Sequence, residues 1–554
     1  MNKKNFLAFT LLLAGTLLML QPATSSADDR EIEVKGKYIR VPIQNGAKRS
    51  SIAIKVGDER VHNVGGDIAT SPNEIDWWAH LEMDEYVGKK AIVTINGEGA
   101  KTLNLVDSSN ERKDAKTLYK EDLRPRFHFS QKEGWNNDPN GMMYYDGEWH
   151  LFWQCNPVGK KWANMYWGHA VSKDLLHWEE LNHALRNGGG RDRENRHRSM
   201  ADGRCFSGGG FVDINNTLGM QKGKDKTLLA TFTDTSSGES IAYSTDKGRT
   251  WTYPKSNPLI KHSGRDPKLF WYEPEKKWAI AVYDNGTKGE DGKRVNGIAF
   301  YESKDLKEWN RTGFAPGYYE CPEIFELPVD GDKNKMKWVL LGADAKYAIG
   351  TYDGKTFKAD EDKKQGGFPG VYAGQCFSNS PDGRVIYIGW NRGLNIPEPA
   401  AFNQGFTLPV EFTLKTTKDG IQMFTNPVAE IAKLRGEKIA DVSNLKLGEA
   451  FSLDCKGQEL DIVLTLKKDG DRGDVSVAVG GIKTSSGFSG ETGKVRVLVD
   501  RTTVETFKDG GAQYTLQSRQ GEMGKPVGKI VITPNNSTSI EKLEIFKMKS
   551  ILPQ

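Results

Sequence analysis

Residues 244–251 read STDKGRTW, and two other segments repeat their pattern: SKDLLHW at 172–178 and SKDLKEW at 303–309. Each has Ser, then Asp two residues later, then a closing Trp, and each follows an apolar run with strand character. TYDGKTF at 351–357 is a degraded fourth copy. Units that recur every ~50 to 70 residues, each with several strand signals, are typical of β-propeller blades. The sequence therefore predicts about five blades between residues 125 and 425.

The regions on either side of these repeats also favour β structure. Alternating apolar and polar residues predict a small N-terminal β-domain at 28–118, ahead of the propeller at 119–425. NPVAEIAKLRGEK is the clearest helix candidate, and 426–440 is assigned as a helical linker. Strand-like runs such as ELDIVLTLKK and KVRVLVDRTTVETF predict a closing β-sandwich at 441–554. The predicted fold class is all-β: a five-bladed propeller followed by a sandwich, with an extra small N-terminal β-domain.

The first residues have the composition of an export signal. Lys3 and Lys4 precede an apolar run from Phe6 to Leu20, and Ser25-Ser26-Ala27 forms a small-residue cleavage site. Residues 1–27 are therefore predicted to be a signal peptide, and the protein to be secreted or periplasmic. No later run reaches the ~18 to 20 apolar residues that a membrane span needs.

Charge and cysteine content exclude several functional classes. The 77 basic and 73 acidic residues nearly balance, which gives no field for nucleic acid or anionic lipid. The five cysteines are too scattered for a disulfide framework and are expected to be buried thiols, with one possible bridge left unassigned. Neither CxxC nor HExxH occurs, so no metal site is predicted. Asp330, Asp332 and Asn334 begin like a calcium loop, but Lys335 replaces the required Gly and Leu341 the terminal Glu, so this stretch is predicted to be a hairpin turn.

A carboxylate precedes a proline and an apolar strand at three places in the predicted propeller. Asp138-Pro139 precedes MMYY, Asp266-Pro267 precedes KLFWY, and Glu320-Cys321-Pro322 precedes EIFELPV. Pro is tolerated at the first residue of a strand, so all three acids are expected at strand entrances. Asp138-Pro139-Asn140-Gly141, within GWNNDPNGMMYY (134–145), also predicts a type I turn.

Equivalent strand entrances of different blades meet at one mouth of a propeller's channel, so these three acids are expected to share a pocket, with Arg265 as a partial counter-ion. When carboxylates lie so close together, each raises or lowers the pKa of the others until the values differ, so that one stays protonated while another is ionised. Glycoside hydrolysis requires that division. A single Asp-Pro pair is usually only a turn, and most of the 14 Trp residues are expected in the core. A few lining the pocket would stack on sugar rings.

At these residues the sequence resembles glycoside hydrolase family 32, the exported β-fructofuranosidases that include invertases, inulinases and levanases. RPRFHFSQKEGWNNDPNG looks like the family's opening motif, RDP its second motif and YECPE its acid/base motif. Further matches are WGHAVSKDLLHWEEL, CFSGG, GQCFSNSPDGRVIYIGW, FNQGFTLPVEFTL and VDRTTVETF. The resemblance covers about residues 120 to 550.

The resemblance implies cofactor-free hydrolysis of β-fructosidic bonds in fructan (levan or inulin), or in sucrose, with retention. Asp138 would be the nucleophile, Glu320 the acid and then the base, and Asp266 would stabilise the oxocarbenium-like transition state. Retention requires the two main carboxyl groups to lie about 5 to 5.5 Å apart. Exo-acting release of fructose is the expected mode. The expected substrate-binding residues are Trp135, Asn137, Gln154, Trp162, Ser207, Arg265 and Trp390.

Some residues depart from the family pattern, and two other functions fit parts of the sequence. Asn136 stands where an apolar residue is usual, Gly209-Gly210 where another Ser is common, and the basic insertion 191–200 has no counterpart. A sialidase is one alternative, because STDKGRTW fits the Asp-box of those propellers, although no arginine-triad motif stands out. A non-catalytic fructan-binding protein is the other, and it would be expected to lose at least one of the three acids.

Overall fold

The computed structural model describes residues 27–188, 195–289, 291–344, 346–361, 364–365 and 368–553. Within these ranges strands dominate, which confirms the all-β prediction, and the helical segments are short 3-10 helices: Pro72–Glu74, Asp84–Tyr86, Glu98–Leu105, Glu273–Glu275, Ala429–Leu434 and Asp509–Gly511. The signal peptide predicted at 1–27 lies outside the described residues, apart from Ala27. Across the described part of the chain, no helix is both long enough and apolar enough to cross a bilayer.

The N-terminal region contains two antiparallel sheets. Their strands are β1 Ala27–Glu33, β2 Tyr38–Ile43, β3 Ser50–Val56, β4 Glu59–Gly66, β5 Trp77–Glu82, β6 Lys90–Asn96 and β7 Asp107–Ser109. One sheet has the order β1-β6-β3-β4 and the other β5-β2-β7. Their buried residues, such as Ile54, belong to the same hydrophobic cluster as Val158 and Tyr166 of the next region. The N-terminal region is therefore fixed to its neighbour by a shared core.

The basic insertion also contacts the N-terminal region. Residues 191–194 lie outside the described residues. Arg198 forms an ion pair of 2.7 Å with Glu85, and His197 lies 3.3 Å from the same carboxylate. The described end of the insertion therefore adds charged contacts to the shared apolar core.

The middle region forms four sheets. Its strands are β8 Gly134–Tyr145, β9 Glu148–Asn156, β10 Tyr166–Ser172, β11 Trp178–Glu180, β12 Gly210–Asp213, β13 Thr227–Asp234, β14 Gly238–Ser244, β15 Gly264–Tyr272, β16 Lys277–Asp284, β17 Gly297–Ser303, β18 Asn310–Pro316, β19 Glu323–Val329, β20 Asp332–Leu341, β21 Lys346–Tyr352, β22 Phe357–Ala359, β23 Lys364–Gln365, β24 Val371–Cys376, β25 Val385–Asn391, β26 Phe402–Asn403, β27 Val410–Thr417 and β28 Gly420–Pro427. The first three sheets have the orders β11-β10-β9-β8-β26, β12-β13-β14 and β15-β16-β17-β18. The fourth runs β22-β21-β20-β19-β27-β25-β24, with β23 on β21 and β28 on β27.

The repeated Ser-x-Asp segments occupy the same place in three of these sheets. Each Ser is the last residue of the third strand in its sheet, β10, β14 or β17. Each Ser hydroxyl donates to the Asp two residues later: Ser172 to Asp174, Ser244 to Asp246 and Ser303 to Asp305, at 3.1, 2.7 and 3.1 Å. The Asp carboxylates then accept backbone N–H groups of the following turn. The predicted repeat is therefore a repeated turn.

The hairpin predicted in place of a calcium loop is also present. β19 ends at Val329 and β20 begins at Asp332, which leaves Asp330 and Gly331 as a two-residue connection. Their φ angles are +55° and +78°, the left-handed values that a type I′ hairpin turn requires.

The C-terminal region contributes two further sheets. Its strands are β29 Arg435–Leu445, β30 Phe451–Cys455, β31 Leu460–Lys468, β32 Gly473–Val479, β33 Ile482–Phe488, β34 Thr492–Val499, β35 Thr503–Lys508, β36 Gln513–Ser518, β37 Gly528–Pro534 and β38 Thr538–Met548. The sheets have the orders β29-β38-β31-β34-β35-β36 and β30-β37-β32-β33. Residues of both sheets, including Leu464 and Val477, join one hydrophobic cluster.

The helical linker predicted at 426–440 is wrong. A 3-10 helix spans only Ala429–Leu434, and β29 begins at Arg435 and continues across the predicted boundary at 441. The buried residues Val428, Ile431 and Leu434 are three apart, which is the repeat of a 3-10 helix. Pairing of β29 with β38 then takes up the following residues, so tertiary pairing overrides the local helical pattern.

Candidate active site

Two of the three predicted carboxylates lie inside strands. Asp138 belongs to β8 and Asp266 to β15, each beside a shift in strand register: between Asn136 and Pro139, and between Arg265 and Lys268. The expectation that all three acids lie at strand entrances is therefore wrong for these two. Pro267 is left unpaired by its register shift, whereas Pro139 ends the other shift and pairs with Trp153. Proline is tolerated at such bulges, where its missing N–H leaves no ladder hydrogen bond unmade. Only Glu320 precedes its strand, because β19 begins at Glu323.

The type I turn predicted at 138–141 is also wrong, because these residues belong to β8. A second register shift follows between Asn140 and Met143, and Gly141 has a φ of +56°. These two irregularities bend the strand where a turn was expected. A Cβ at Gly141 would lie 2.7 Å from the Trp167 ring, so space as well as conformation requires glycine.

The backbone at two of the acids is strained. Asp266, Glu320 and Cys321 have φ angles of +66°, +46° and +37°. Residues with side chains rarely adopt this left-handed region, and each such residue costs on the order of 1 to 3 kcal/mol. Conformations of this kind cluster at functional sites, so the strain agrees with a role in chemistry.

The glycines of the segment SGGG at 207–210 let the strands that carry the acids approach one another. Gly141 donates its backbone N–H to the Gly208 carbonyl at 2.9 Å, and Gly209 donates to the Pro267 carbonyl at 2.8 Å. A Cβ at Gly208 would lie 1.9 Å from a carbonyl oxygen, and one at Gly210 would lie 2.1 Å from another. The second serine common in the family at this place is therefore replaced by a close backbone contact.

The three carboxylates line one cavity of about 400 Å³. The expected binding residues Asn137, Gln154, Trp162, Ser207, Arg265 and Trp390 line it too, and the remaining lining residues are Met165, Phe206, Tyr319, Tyr372 and Arg392. Trp162 is 47% exposed and stands at the rim, whereas Trp153 and Trp167 are core residues. Trp135 is not in the lining but supports it: its indole N–H donates to Asn137 Oδ1 at 3.0 Å, and its ring meets the Trp390 ring edge-on.

Asp138 is held by two side-chain donors. The Ser207 hydroxyl donates to Oδ2 at 2.7 Å, and Asn137 Nδ2 donates to Oδ1 at 3.2 Å. Burial raises the pKa of Asp138 above its ordinary value, and the charge of Glu320 adds to that rise. The hydrogen bonds from Ser207 and Asn137 oppose it, because they stabilise the ionised form.

Asp266 carries the stronger perturbation. Burial raises its pKa well above the ordinary value, and the negative charges of Asp138 and Glu320 raise it further. Arg265 acts in the opposite direction, but its Nε is 3.8 Å from Asp266 Oδ2. The structure therefore favours the protonated form of Asp266 more than that of Asp138.

Glu320 has the closest cationic partner of the three acids. Arg265 donates to Glu320 Oε1 from Nε at 3.0 Å and from a second guanidinium nitrogen. The Tyr372 hydroxyl donates to Oε2 at 2.5 Å. The Arg265 guanidinium in turn lies over the Tyr283 and Tyr319 rings. Glu320 is thus fixed at one edge of the cavity by a cation and a phenol.

Cys321 lies between the other two acids. Its thiol is 3.7 Å from Asp138 Oδ2 and 3.5 Å from Asp266 Oδ2, and its backbone N–H donates to the latter oxygen at 3.2 Å. Burial, followed by the three nearby negative charges, raises the pKa of this thiol well above its ordinary value, so it remains protonated. All five cysteines are buried and free, so the one bridge left open by the sequence is not formed.

Tyr372 is the most important lining residue that the sequence did not indicate. It lies in β24, which has a register shift between Tyr372 and Gln375 like those beside the acids, and Ala373 has a φ of +49°. No carboxylate-proline pair precedes this bulge, so the pattern that found the acids could not find it. Tyr319 was detectable, because it directly precedes Glu320 in YECPE.

The sequence matches a family of known enzymes over this part of the chain. The family described as "Glycosyl hydrolases family 32 N-terminal domain" matches residues 128–427, which include all three carboxylates. This match covers more than half of the 554 residues.

Three curated relatives have names that indicate fructan or sucrose hydrolysis. A levanase of Bacillus subtilis is 39% identical over 353 residues, which are 58% of this chain and 49% of the relative. An extracellular exo-inulinase of Aspergillus niger is 32% identical over 367 residues, covering 56% of this chain and 65% of the relative. Invertase 2 of Saccharomyces cerevisiae is 32% identical over 356 residues, covering 58% and 62%. The matched part thus spans between about half and two thirds of these relatives.

Solved structures share the fold. The exo-inulinase of Aspergillus awamori has a TM-score of 0.66 at 24% identity, covering 78% of this chain and all of that one. The β-fructofuranosidase of Schwanniomyces occidentalis, complexed with fructosyl-erythritol, has a TM-score of 0.64 at 23% identity, covering 77% and 98%. Together with the family match, these similarities establish that the chain belongs to glycoside hydrolase family 32.

Proposed function

We propose that this protein is a retaining β-fructosidase that hydrolyses levan or inulin, and sucrose as a short substrate. The observation that carries the proposal is the single cavity lined by Asp138, Asp266 and Glu320, with exposed Trp162 at its rim. The names of the relatives, levanase, exo-inulinase and invertase, support this substrate class.

The middle region is proposed to be a five-bladed propeller. β19 pairs with β27 through only one residue pair, Val329 with Leu414. If the nine-stranded sheet is divided at that contact, five groups of strands result, which begin with β8, β12, β15, β19 and β24. The two C-terminal sheets with their common core fit a β-sandwich, and the N-terminal sheets a separate small domain.

In the proposed reaction, the Asp138 carboxylate attacks the anomeric carbon of the terminal fructosyl unit. Glu320 acts in its protonated form, with the proton taken up from solvent before the step, and gives that proton to the departing glycosidic oxygen, so that a fructosyl ester forms on Asp138 and the rest of the substrate leaves. Glu320 then takes a proton from water, whose oxygen attacks the same carbon and releases fructose and the Asp138 carboxylate. Two displacements at one carbon give net retention.

The neighbouring residues divide the charges among the acids. The hydrogen bonds from Ser207 and Asn137 stabilise the ionised form of Asp138, whereas burial and the nearby charges favour a proton on Asp266. A protonated Asp266 can donate to one ring hydroxyl and accept from another, which suits a residue that binds the fructosyl ring rather than attacking it. Arg265 positions Glu320 from the other side.

A sialidase is the weaker candidate. Its mechanism uses a Tyr nucleophile, and Tyr372 does donate to Glu320 in the cavity. Burial, together with that hydrogen bond and the charge of Glu320, raises the pKa of Tyr372 far above its ordinary value, which disfavours a phenolate nucleophile. Of the described cavity residues, two are arginines, Arg265 and Arg392, and a sialidase binds its substrate carboxylate with three.

The attack is proposed to be exo, and the protein to act outside the cytoplasm. The relatives include extracellular exo-inulinases, which supports both points. The predicted signal peptide at 1–27 agrees with export.

Incubation with levan, inulin and sucrose, followed by separation of the products by chain length, tests the proposal. Free fructose as the sole early product from a fructan is expected for exo attack, whereas a ladder of oligomers would contradict it. Failure to cleave any of the three substrates would refute the β-fructosidase assignment.

A further inference from the structure

A second large cavity lies between the N-terminal region and the segment that follows β25, and most of its lining precedes the family match, which begins at residue 128. It encloses about 590 Å³, more than the catalytic cavity. Its lining combines indole rings and small apolar side chains with charged groups: Asp76, Trp77, Trp78, Lys113, Asp114, Thr117, Lys120, Glu121, Asp122, Leu123, Pro399, Ala400 and Ala401. A cavity of this size and mixed lining is typical of a ligand site.

Hydrogen bonds fix one of the two indoles. The Trp77 indole N–H donates to Asn45 Oδ1 at 2.9 Å, and the Asn45 backbone N–H donates to Asp76 Oδ2 at 2.7 Å. Trp77 is almost fully buried, whereas Trp78 is partly exposed and lies under Lys113 Nζ, 4.7 Å from its ring centroid. Lys113 thus covers one face of the Trp78 ring, and the partial exposure of Trp78 makes it the indole of this lining that a ligand can contact.

The charges of the lining favour a neutral polyhydroxyl ligand. Four carboxylates and two lysines line the cavity, and the pairing of two of these carboxylates with arginines leaves no large net charge to attract an ionic polymer. Two of the carboxylates are already paired with arginines: Asp114 with Arg112 at 2.8 Å and Glu121 with Arg124. The lining thus offers acceptors and donors around an aromatic face, which is the combination that binds a sugar ring through its C–H face and its hydroxyls.

One segment of chain joins this cavity to the catalytic one. Arg392 lines the catalytic cavity, and Pro399, Ala400 and Ala401 line the second. Immediately afterwards, β26 pairs with the start of β8, and Gly134 donates its N–H to the Ala401 carbonyl at 2.8 Å. The next residue, Trp135, packs edge-on against Trp390 of the catalytic cavity. The segment 392–401 therefore connects the linings of the two cavities.

We propose that the second cavity binds a distal stretch of the same fructan chain whose end occupies the catalytic cavity, with Trp78 as its stacking platform. This proposal rests on the proposed function and gives the N-terminal region a part in substrate binding. It predicts that the second cavity contributes to the binding of polymers and not of sucrose, which is too short to reach from the catalytic cavity into the second one.

Kinetics of Trp78→Ala on levan, inulin and sucrose test the proposal. The expected result is a KM for the polymer raised about tenfold, which corresponds to about 1.4 kcal/mol of binding, with kcat for the polymer and both constants for sucrose within twofold of wild type. Trp78→Phe keeps a flat ring, so its KM for the polymer should lie between those of the wild type and Trp78→Ala. Trp271→Ala is the matched control, because Trp271 is a partly exposed indole of β15 that lines neither cavity.

Binding can be measured apart from catalysis. Glu320→Gln should be retarded in a native gel that contains levan or inulin. Excess free fructose fills the catalytic cavity and should remove only the part of the retardation that this cavity causes. Adding Trp78→Ala should remove the remaining part. If Trp78→Ala changes neither the polymer KM nor the retardation, or if it raises the sucrose KM equally, the proposal is overturned and the cavity serves another partner, such as a basic peptide. If the wild-type protein cleaves no fructoside, the proposed function fails, but retardation in the gel still measures binding of the polymer at the second cavity.

Discussion

Two groups of buried acids in this protein have opposite electrostatic surroundings. In the cavity, Asp138 and Asp266 lie close together without a cation in direct contact, and burial raises the pKa of both. Where the middle region meets the C-terminal sheets, Asp500 and Glu505 are completely buried on either side of His128. Both groups are acidic and enclosed, but only the second has a cation hydrogen-bonded between its two acids.

The His128 group is satisfied in full. His128 Nδ1 lies 2.8 Å from Asp500 Oδ2, and Nε2 lies 3.0 Å from Glu505 Oε1. Asp500 also accepts the backbone N–H groups of Arg126, Phe127 and His128. Burial alone would lower the pKa of His128, but the hydrogen bonds and charges of Asp500 and Glu505 outweigh it and raise the pKa to about 9.

The contrast separates structural from chemical acids. A buried charge that is paired and fully hydrogen-bonded holds two regions together, and breaking such a pair costs several kcal/mol. Buried like charges without full compensation destabilise the fold and are retained where chemistry requires perturbed pKa values. The same substitution, acid to amide, should therefore have opposite effects in the two groups.

The largest effect is expected on turnover. Asp138→Asn and Glu320→Gln should each lower kcat by about three orders of magnitude or more, because each removes a group that forms or breaks a bond. Both changes are nearly isosteric, so the thermal midpoint should not fall. Turnover within tenfold of wild type would refute the assignment of that residue.

The next largest effect is expected on stability. Asp500→Asn should lower the free energy of unfolding by about 3 to 5 kcal/mol, because the buried His128 imidazolium loses one of its two carboxylate partners. Asp266→Asn should leave stability equal or higher, because burial and the neighbouring charges disfavour the ionised form of Asp266, which the amide cannot adopt, while turnover falls as far as in Asp138→Asn. Denaturant titration of both variants measures this, and equal destabilisation would break the contrast between the groups.

A pH effect should follow from the His128 group. The folded pKa of His128 is about 9, above the ordinary 6.5 of an unfolded chain, so its contribution is complete below pH 6.5 and is lost as pH rises through 9. Thermal midpoints of wild type should fall across this window. His128→Gln should be less stable below it and should lose that alkaline dependence; an unchanged slope would contradict the pairing.

A smaller effect is expected at Ser207. Its hydroxyl stabilises ionised Asp138, so Ser207→Ala should raise the pKa of Asp138 and shift the acid limb of the kcat/KM profile upward by about half to one pH unit. Ser380→Ala, on an exposed turn with a similar hydrogen bond to Asp382, is the control. A shift in the opposite direction would show that Asp138 is not the group seen on that limb.

Local patterns predicted much of this architecture because they act over short distances. The Ser-x-Asp turns and the Asp330-Gly331 hairpin are local, and the sequence predicted both. The association of Asp138 with Asp266 and Glu320 followed from a repeated carboxylate-proline pattern. The bulges at Pro139 and Pro267 were not predictable, because they depend on pairing with neighbouring strands. The same holds for 435–445, where pairing with β38 replaces the predicted helix.

Electrostatic details also required the fold. The sequence indicated Arg265 as a counter-ion for the acids, but only the structure shows that it bonds Glu320 and leaves Asp266 at 3.8 Å. No sequence pattern singles out Tyr372, which reaches Glu320 only because β24 lines the same cavity.

The direct test of the proposed chemistry is mass spectrometry of Glu320→Gln after incubation with a fructosyl donor that has an activated leaving group, such as fructosyl fluoride. This variant lacks the base needed for hydrolysis, so a fructosyl ester should accumulate on the peptide that contains Asp138. An adduct on Asp266, or rapid release of the inverted product without any adduct, would contradict the assignment of Asp138 as the nucleophile.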